Sequence, residues 1–201
     1  MAMRLLILIR HPATDLAGTF CGHSDPDLSA GGLAQLHALQ RRLDRLPLGQ
    51  LVSSDLLRAR RCAEALAEHH EIVAALSPAL REMHFGDWEG LRWDEISTRF
   101  PQQAHRWLQG FATFTPPHAE PYAHFTARIR TAAEEWLQDT SSATLAIVTH
   151  RGVLQFLLQT YCGVDATAAW QLSSRYATAV FCARTTGADI PLTVRETWHP
   201  D

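Results

Sequence analysis

Two short stretches of this chain are almost wholly apolar, and several longer ones carry apolar residues at helical spacing. The first stretch is Arg4-Leu5-Leu6-Ile7-Leu8-Ile9, which stops at Arg10-His11-Pro12. The second is Thr144-Leu145-Ala146-Ile147-Val148-Thr149, which stops at His150-Arg151-Gly152. A strand that is apolar on both faces belongs in a parallel sheet covered on both sides. Ligands of open α/β sheets lie beyond the carboxyl ends of the strands. Each strand therefore predicts a histidine delivered to one rim. Pro12 stops the first strand and biases His11 towards an extended backbone.

The remaining pattern alternates strand and helix. Ser29 reads as an N-cap, and Leu33, Leu36, Leu39, Leu43 and Leu46 follow at helical spacing up to Pro47. Residues 51–54 predict a short strand and 56–70 a helix with Ala59, Cys62, Ala63 and Leu66 inward. Residues 72–76 predict another short strand. The stretch 80–91 is irregular, short helices are expected over 93–100 and 102–109, and Pro116-Pro117 interrupts the chain. An amphipathic helix is expected over 122–138, with Phe125, Ile129, Ala132, Ala133, Trp136 and Leu137 on its apolar face. A helix over 153–161 follows the second histidine, and 177–183 and 192–197 read as closing strands around Gly187. The expected fold is α/β, a doubly wound, mostly parallel sheet sandwiched by helices, with a small inserted cap at about 82–118. All 201 residues read as one domain.

Composition narrows the function. The formal net charge is −3 and charged residues make up 19% of the chain, which gives no footprint for a nucleic-acid partner. The first apolar run is too short to cross a bilayer and lacks a signal-peptide pattern, so no membrane partner is expected and the expected location is cytoplasmic. Cys21, Cys62, Cys162 and Cys182 are scattered, which suits neither a disulfide framework nor a zinc ribbon. Cys62 and Cys162 fall on apolar helix faces. The 11 histidines show no tight metal spacing, so no metal or other cofactor is expected. His69-His70 reads as a solvated helix end. The sequence leaves a homodimer open.

If the two strands are neighbours, His11 and His150 converge, Arg10 travels with the first, and Arg58 lies early in the helix that follows the short strand over 51–54. Guanidiniums and helix N-termini suit phosphate oxygens. A neutral imidazole is a nucleophile towards phosphorus. Glu82, Asp87 and Glu89 in the irregular stretch are candidate acids for a leaving oxygen.

These residues carry a resemblance. Leu8-Ile9-Arg10-His11 is similar to the signature of the histidine phosphatase superfamily, the phosphoglycerate mutase-like group. Ser53-Ser54-Asp55-Leu56-Leu57-Arg58-Ala59, Leu80 to Gly90, Pro117-His118-Ala119-Glu120 and Val148-Thr149-His150-Arg151-Gly152-Val153 resemble further family segments in the same order. The resemblance implies a phosphatase in which His11 becomes phosphohistidine. It implies that Arg10, Arg58 and His150 hold the phosphoryl group and that Glu82 is the general acid and then the base. Thr14, Cys21, Gly22 and Arg151 are the further candidates for binding a small-molecule phosphate ester. Glu120 matches a family residue on the substrate side. Pro12 and Ala17 depart from the family pattern, as does Arg151 where a glycine is usual. The chain has no adjacent Arg-Arg pair in 91–119, which favours hydrolysis over mutase action. Its Phe20-Cys21-Gly22-His23-Ser24-Asp25 loop looks most like the α-ribazole-5′-phosphate phosphatases of cobalamin biosynthesis. Other small metabolites, such as sugar phosphates or phosphoserine, are the alternative, as is an inactive phosphoester-binding module.

Overall fold

The first apolar run forms β1 (Leu5–Arg10), and its side chains alternate between two cores. Leu6 and Leu8 enter one, and Ile7 and Ile9 the other. This is the pattern of a strand with helices on both faces. The computed structural model describes residues 5–139, 141–184 and 192–200. Arg4 and Gly187 lie outside the described residues.

The other strands are β2 (Gln50–Ser53), β3 (Ala74–Leu76), β4 (Thr144–Thr149), β5 (Ala179–Arg184) and β6 (Leu192–Trp198). They form a 6-stranded sheet in the order β3-β2-β4-β1-β5-β6. The run from β3 to β1 is parallel, whereas β5 is antiparallel to both β1 and β6. The mostly parallel α/β architecture is thus as expected. Arg10 pairs with Thr149, so the residues that follow, His11 and His150, leave the sheet side by side.

On one face lie α1 (Ala30–Leu43) and α2 (Leu57–His69), packed over Ile7, Ile9, Ala146 and Val148. On the other lie α5 (Tyr122–Gln138) and α6 (Arg151–Cys162), packed over Leu6, Leu8, Leu145 and Ile147. Ser29 caps α1 as expected, its hydroxyl accepting from the Gly32 amide at 3.0 Å. Leu33 departs from the expected stripe and is 48% exposed, while Leu36, Leu39 and Leu43 are buried. Gly163, at φ 65°, closes α6 in the left-handed conformation that a helix end favours.

Residues 78–80 and 86–88 form single 3-10 turns, and α3 (Trp93–Arg99) and α4 (Pro101–Gly110) follow. Trp88, Ile96, Ala104 and Phe114 make a third apolar cluster of their own, edged by Phe20, Trp93 and Trp107. One helix was not expected. α7 (Ala166–Leu172) starts at Asp165, whose carboxylate accepts from the Ala168 amide at 2.8 Å. It is only 7 residues long and buries Ala169 alone, so it leaves no periodic trace in the sequence.

Candidate active site

His11 sits at the end of β1, buried, with its ring centroid 5.0 Å from that of His150. Its Nδ1 lies 2.7 Å from the Pro12 carbonyl, and Arg58 Nε lies 3.3 Å from its Nε2. A carbonyl only accepts, so Nδ1 carries the proton. A guanidinium only donates, so Nε2 presents a lone pair. The bond to Pro12 thus sets the tautomer a nucleophilic imidazole needs. Burial, reinforced by the Arg58 and Arg10 charges, holds His11 well below the usual histidine pKa, against the Pro12 hydrogen bond.

His150 is held down for the same reasons: burial first, then the charges of Arg58 and Arg10. Its Nε2 shares a 2.8 Å hydrogen bond with the Ser54 hydroxyl, and its buried Nδ1 has no partner among the described residues. Ser54 follows β2, so three neighbouring strands supply this corner.

Arg58 is buried beside His11. Nη1 donates to the Ser24 carbonyl at 2.7 Å, and Nη2 donates to those of Cys21 and Gly22 at 3.1 and 2.8 Å. The loop that supplies these carbonyls is held in turn by Glu89. Its carboxylate accepts from the amides of Gly22, His23, Ser24 and Phe85 and from the Ser24 hydroxyl. Burial pushes the Glu89 carboxyl up, but these hydrogen bonds outweigh it and hold the group below its usual value. Gly22 is required where it stands, because a Cβ there would lie 2.2 Å from the Met83 carbonyl oxygen.

A cavity of about 490 Å³ opens in front of His11. Arg10, Thr14, Cys21, Glu82 and Arg151 line it, whereas Arg58 and His150 flank His11 without lining it. Gly22 does not line it either; its amide and carbonyl are engaged by Glu89 and Arg58. Arg10 donates from Nη1 to the carbonyls of Ser173 and Ser174 and lies under Tyr176, 3.9 Å from the ring centroid. Its buried Nε has no partner among the described residues. Burial brings its pKa down to about 10, which leaves it cationic at neutral pH.

Of the candidate acids, Glu82 alone reaches the cavity. Its carboxylate accepts from the amides of Met83 and Gly152 at 3.0 and 2.9 Å. Asp87 pairs outward with His118, and Glu89 is engaged in the loop. Gly152 is needed for this approach, since a Cβ would lie 2.4 Å from Glu82 Oε1. Arg128 fixes the Glu82 backbone. It donates to the carbonyls of Ala79, Arg81 and Glu82 and grips Glu120 through Nε and Nη2. Glu120 therefore supports the acid's segment and is not on the cavity wall.

The helix N-termini are used differently from the expectation. The Leu57 amide of α2 donates to Asp25 and the Gly152 amide of α6 donates to Glu82, so the anions they hold are the chain's own carboxylates.

The sequence profile of the histidine phosphatase superfamily (branch 1) matches residues 6–193. The chain belongs to that superfamily. This phosphatase is 28% identical over 167 residues to the adenosylcobalamin/α-ribazole phosphatase of Salmonella typhimurium, covering 82% of this chain and 83% of that one. It is 27% identical to phosphoserine phosphatase 1 of Hydrogenobacter thermophilus, over 82% and 79% of the two chains. The α-ribazole phosphatase of Shigella flexneri superimposes with a TM-score of 0.84 at 24% identity, over 95% and 94% of the chains, a likeness of fold alone. The mycobacterial glucosyl-3-phosphoglycerate phosphatase superimposes at 0.79 with 26% identity, over 99% and 100%.

Three aspects of the phosphatase site had no sequence signal. The carbonyl cage around Arg58 and the amide cage around Glu89 are built from backbone atoms, which any residue carries. Trp170 lies on the unexpected α7 and stacks on Arg151, whose Cζ is 3.4 Å from the ring centroid. No described helix is long and apolar enough to cross a membrane, and no group of three or more His, Cys, Asp or Glu among the described residues has the arrangement to hold a metal. Cys62 is buried and its thiol is pushed up to about 12. Cys162 is only partly buried, 3.7 Å from the Cys182 sulfur.

Proposed function

We propose that this phosphatase hydrolyses phosphomonoesters through phosphohistidine at His11, without a metal, and that α-ribazole 5′-phosphate is its substrate. The observation that carries the reading is the His11 Nε2 lone pair, set by the Pro12 carbonyl at the floor of the cavity that Glu82 lines. Nε2 attacks phosphorus, the ester P–O bond breaks, and the electron pair leaves with the alcohol oxygen, which takes a proton from Glu82. The ring becomes cationic, and its Nδ1–H keeps the Pro12 carbonyl as acceptor. Once Nε2 is bonded to phosphorus it no longer accepts, so Arg58 Nε–H is released beside the phosphoryl oxygens. Arg10 Nε and His150 Nδ1 are the further groups to meet that charge. Water then attacks phosphorus, Glu82 takes its proton, and the P–N pair returns to Nε2.

The cavity walls support a ring-bearing leaving group. Phe20, Phe85, Trp93, Trp107, Tyr122 and Phe125 face it, and aromatic walls suit a planar base. The relatives named as phosphoserine phosphatase and glucosyl-3-phosphoglycerate phosphatase make another small metabolite the second reading. The test is phosphate release, with chelator present, from α-ribazole 5′-phosphate, 3-phosphoglycerate, phosphoserine and 4-nitrophenyl phosphate. Preference for α-ribazole 5′-phosphate by tenfold or more is expected. Activity surviving His11→Ala would overturn the nucleophile, and dependence on added metal would overturn the metal-free chemistry.

A further inference from the structure

One wall of the cavity differs from the others. Arg151, Gln155 and Gln159 lie at successive turns on one face of α6, and all three line the cavity. Arg151 lies flat on Trp170, which occupies the π-face of the guanidinium and leaves its donors in the plane around the edge. No salt bridge engages it among the described residues. Its buried Nε has no hydrogen-bond partner there, which is an expensive condition for a donor without a ligand to meet it. Gln155 is oriented by its bond to the Ser173 hydroxyl, and Gln159 by its bond to the Gln155 carbonyl.

We infer that this row is a specificity site for the hydroxyl-bearing sugar of the leaving group, with Arg151 as its principal donor. The inference rests on the proposed phosphatase reaction at His11 and deepens it. A polar row beside aromatic walls fits an alcohol with two parts, a flat ring on one side and oxygens on the other. The row favours neutral hydroxyls over a second anion, because beyond Arg151 it continues with amides, which both donate and accept, and adds no further cation.

The experiment compares kcat/KM of the wild type, Arg151→Ala, Arg151→Lys and Trp170→Ala on three esters. These are α-ribazole 5′-phosphate, ribose 5-phosphate and 4-nitrophenyl phosphate, which has a ring and no sugar. The expected result is a loss in Arg151→Ala at least tenfold larger for the two ribose esters than for the aryl ester, expressed in KM. Arg151→Lys keeps the charge but not the planar fork and should restore little of it. Trp170→Ala should shift the same ratio in the same direction. Equal losses on all three esters would overturn the inference, leaving Arg151 as a phosphoryl-site or structural residue. The two readings fail separately. Poor turnover of α-ribazole 5′-phosphate with a selective loss on ribose 5-phosphate sinks the substrate assignment and keeps the row. Good turnover of it with uniform losses keeps the assignment and sinks the row. Turnover of neither ribose ester would overturn both.

Discussion

His11 and His150 are neutral because folding removes them from water next to two guanidiniums, and that has a cost in acid. In the unfolded chain both imidazoles protonate as pH falls through about 6.5. In the folded chain both are held well below that value. The unfolded state therefore binds more protons below about 6.5, and stability falls as pH falls through that window. Denaturant melts should give a lower midpoint at about pH 5.5 than at about pH 7.5. The difference should shrink in His150→Gln, which removes one of the two protons taken up. A midpoint that holds or rises on acidification would contradict the burial of neutral rings. Glu82 gives a second prediction at this scale. Glu82→Gln should lose about 10²–10⁴-fold in kcat/KM, which reports transfer to His11 and not the later hydrolysis, for poor leaving groups and much less for 4-nitrophenyl phosphate, whose oxygen leaves without a proton. Gly152→Ala should copy that selectivity, because its Cβ collides with the Glu82 carboxylate. Equal losses for both ester types in either variant would remove the acid from the scheme.

Between residue and molecule stands the loop 21–24, which is itself neither helix nor strand. Glu89 holds it from one side, and its carbonyls hold Arg58 on the other. Removing the carboxylate strands several partly buried amides, each worth about 1–3 kcal/mol when left unsatisfied. Glu89→Ala should lower the thermal midpoint by several degrees and reduce kcat, though Glu89 does not line the cavity. A variant as stable and active as the wild type would show that the loop holds itself. The same loop marks the limit of the sequence as a guide. Apolar runs placed β1 and β4, leucine and alanine spacing placed α1, α2 and α5, and the histidines fell where strand ends put them. Glu82 was separable from Asp87 and Glu89 only by resemblance, because all three lie in an aperiodic stretch. What Glu89 grips is main chain at a distance of more than sixty residues, and main chain writes no motif. The partner of Arg151 was equally hidden, since α7 is too short to show a period.

At the scale of the whole molecule, the −3 formal charge gives no hint of a cationic pocket. Arg10, Arg58 and Arg151 are concentrated at one rim of the sheet, where burial raises their influence above what a net count conveys. Hydrophobic layers on both faces of β1 and β4 hold that rim in place.

The order of the sheet has a consequence for how the protein is made. β4 lies between β1 and β2, and it is translated after both of them and after α1, α2 and α5. Until Thr144 to Thr149 emerge from the ribosome, the two earlier strands have no row between them to close the ladder. A nascent polypeptide ending at residue 143 should accordingly bind chaperone and show no cooperative melting, since its central seam is still to come. The stretch from residue 144 onward supplies both the seam and one of the paired imidazoles, so a chain stopped short of it should release no phosphate from any ester.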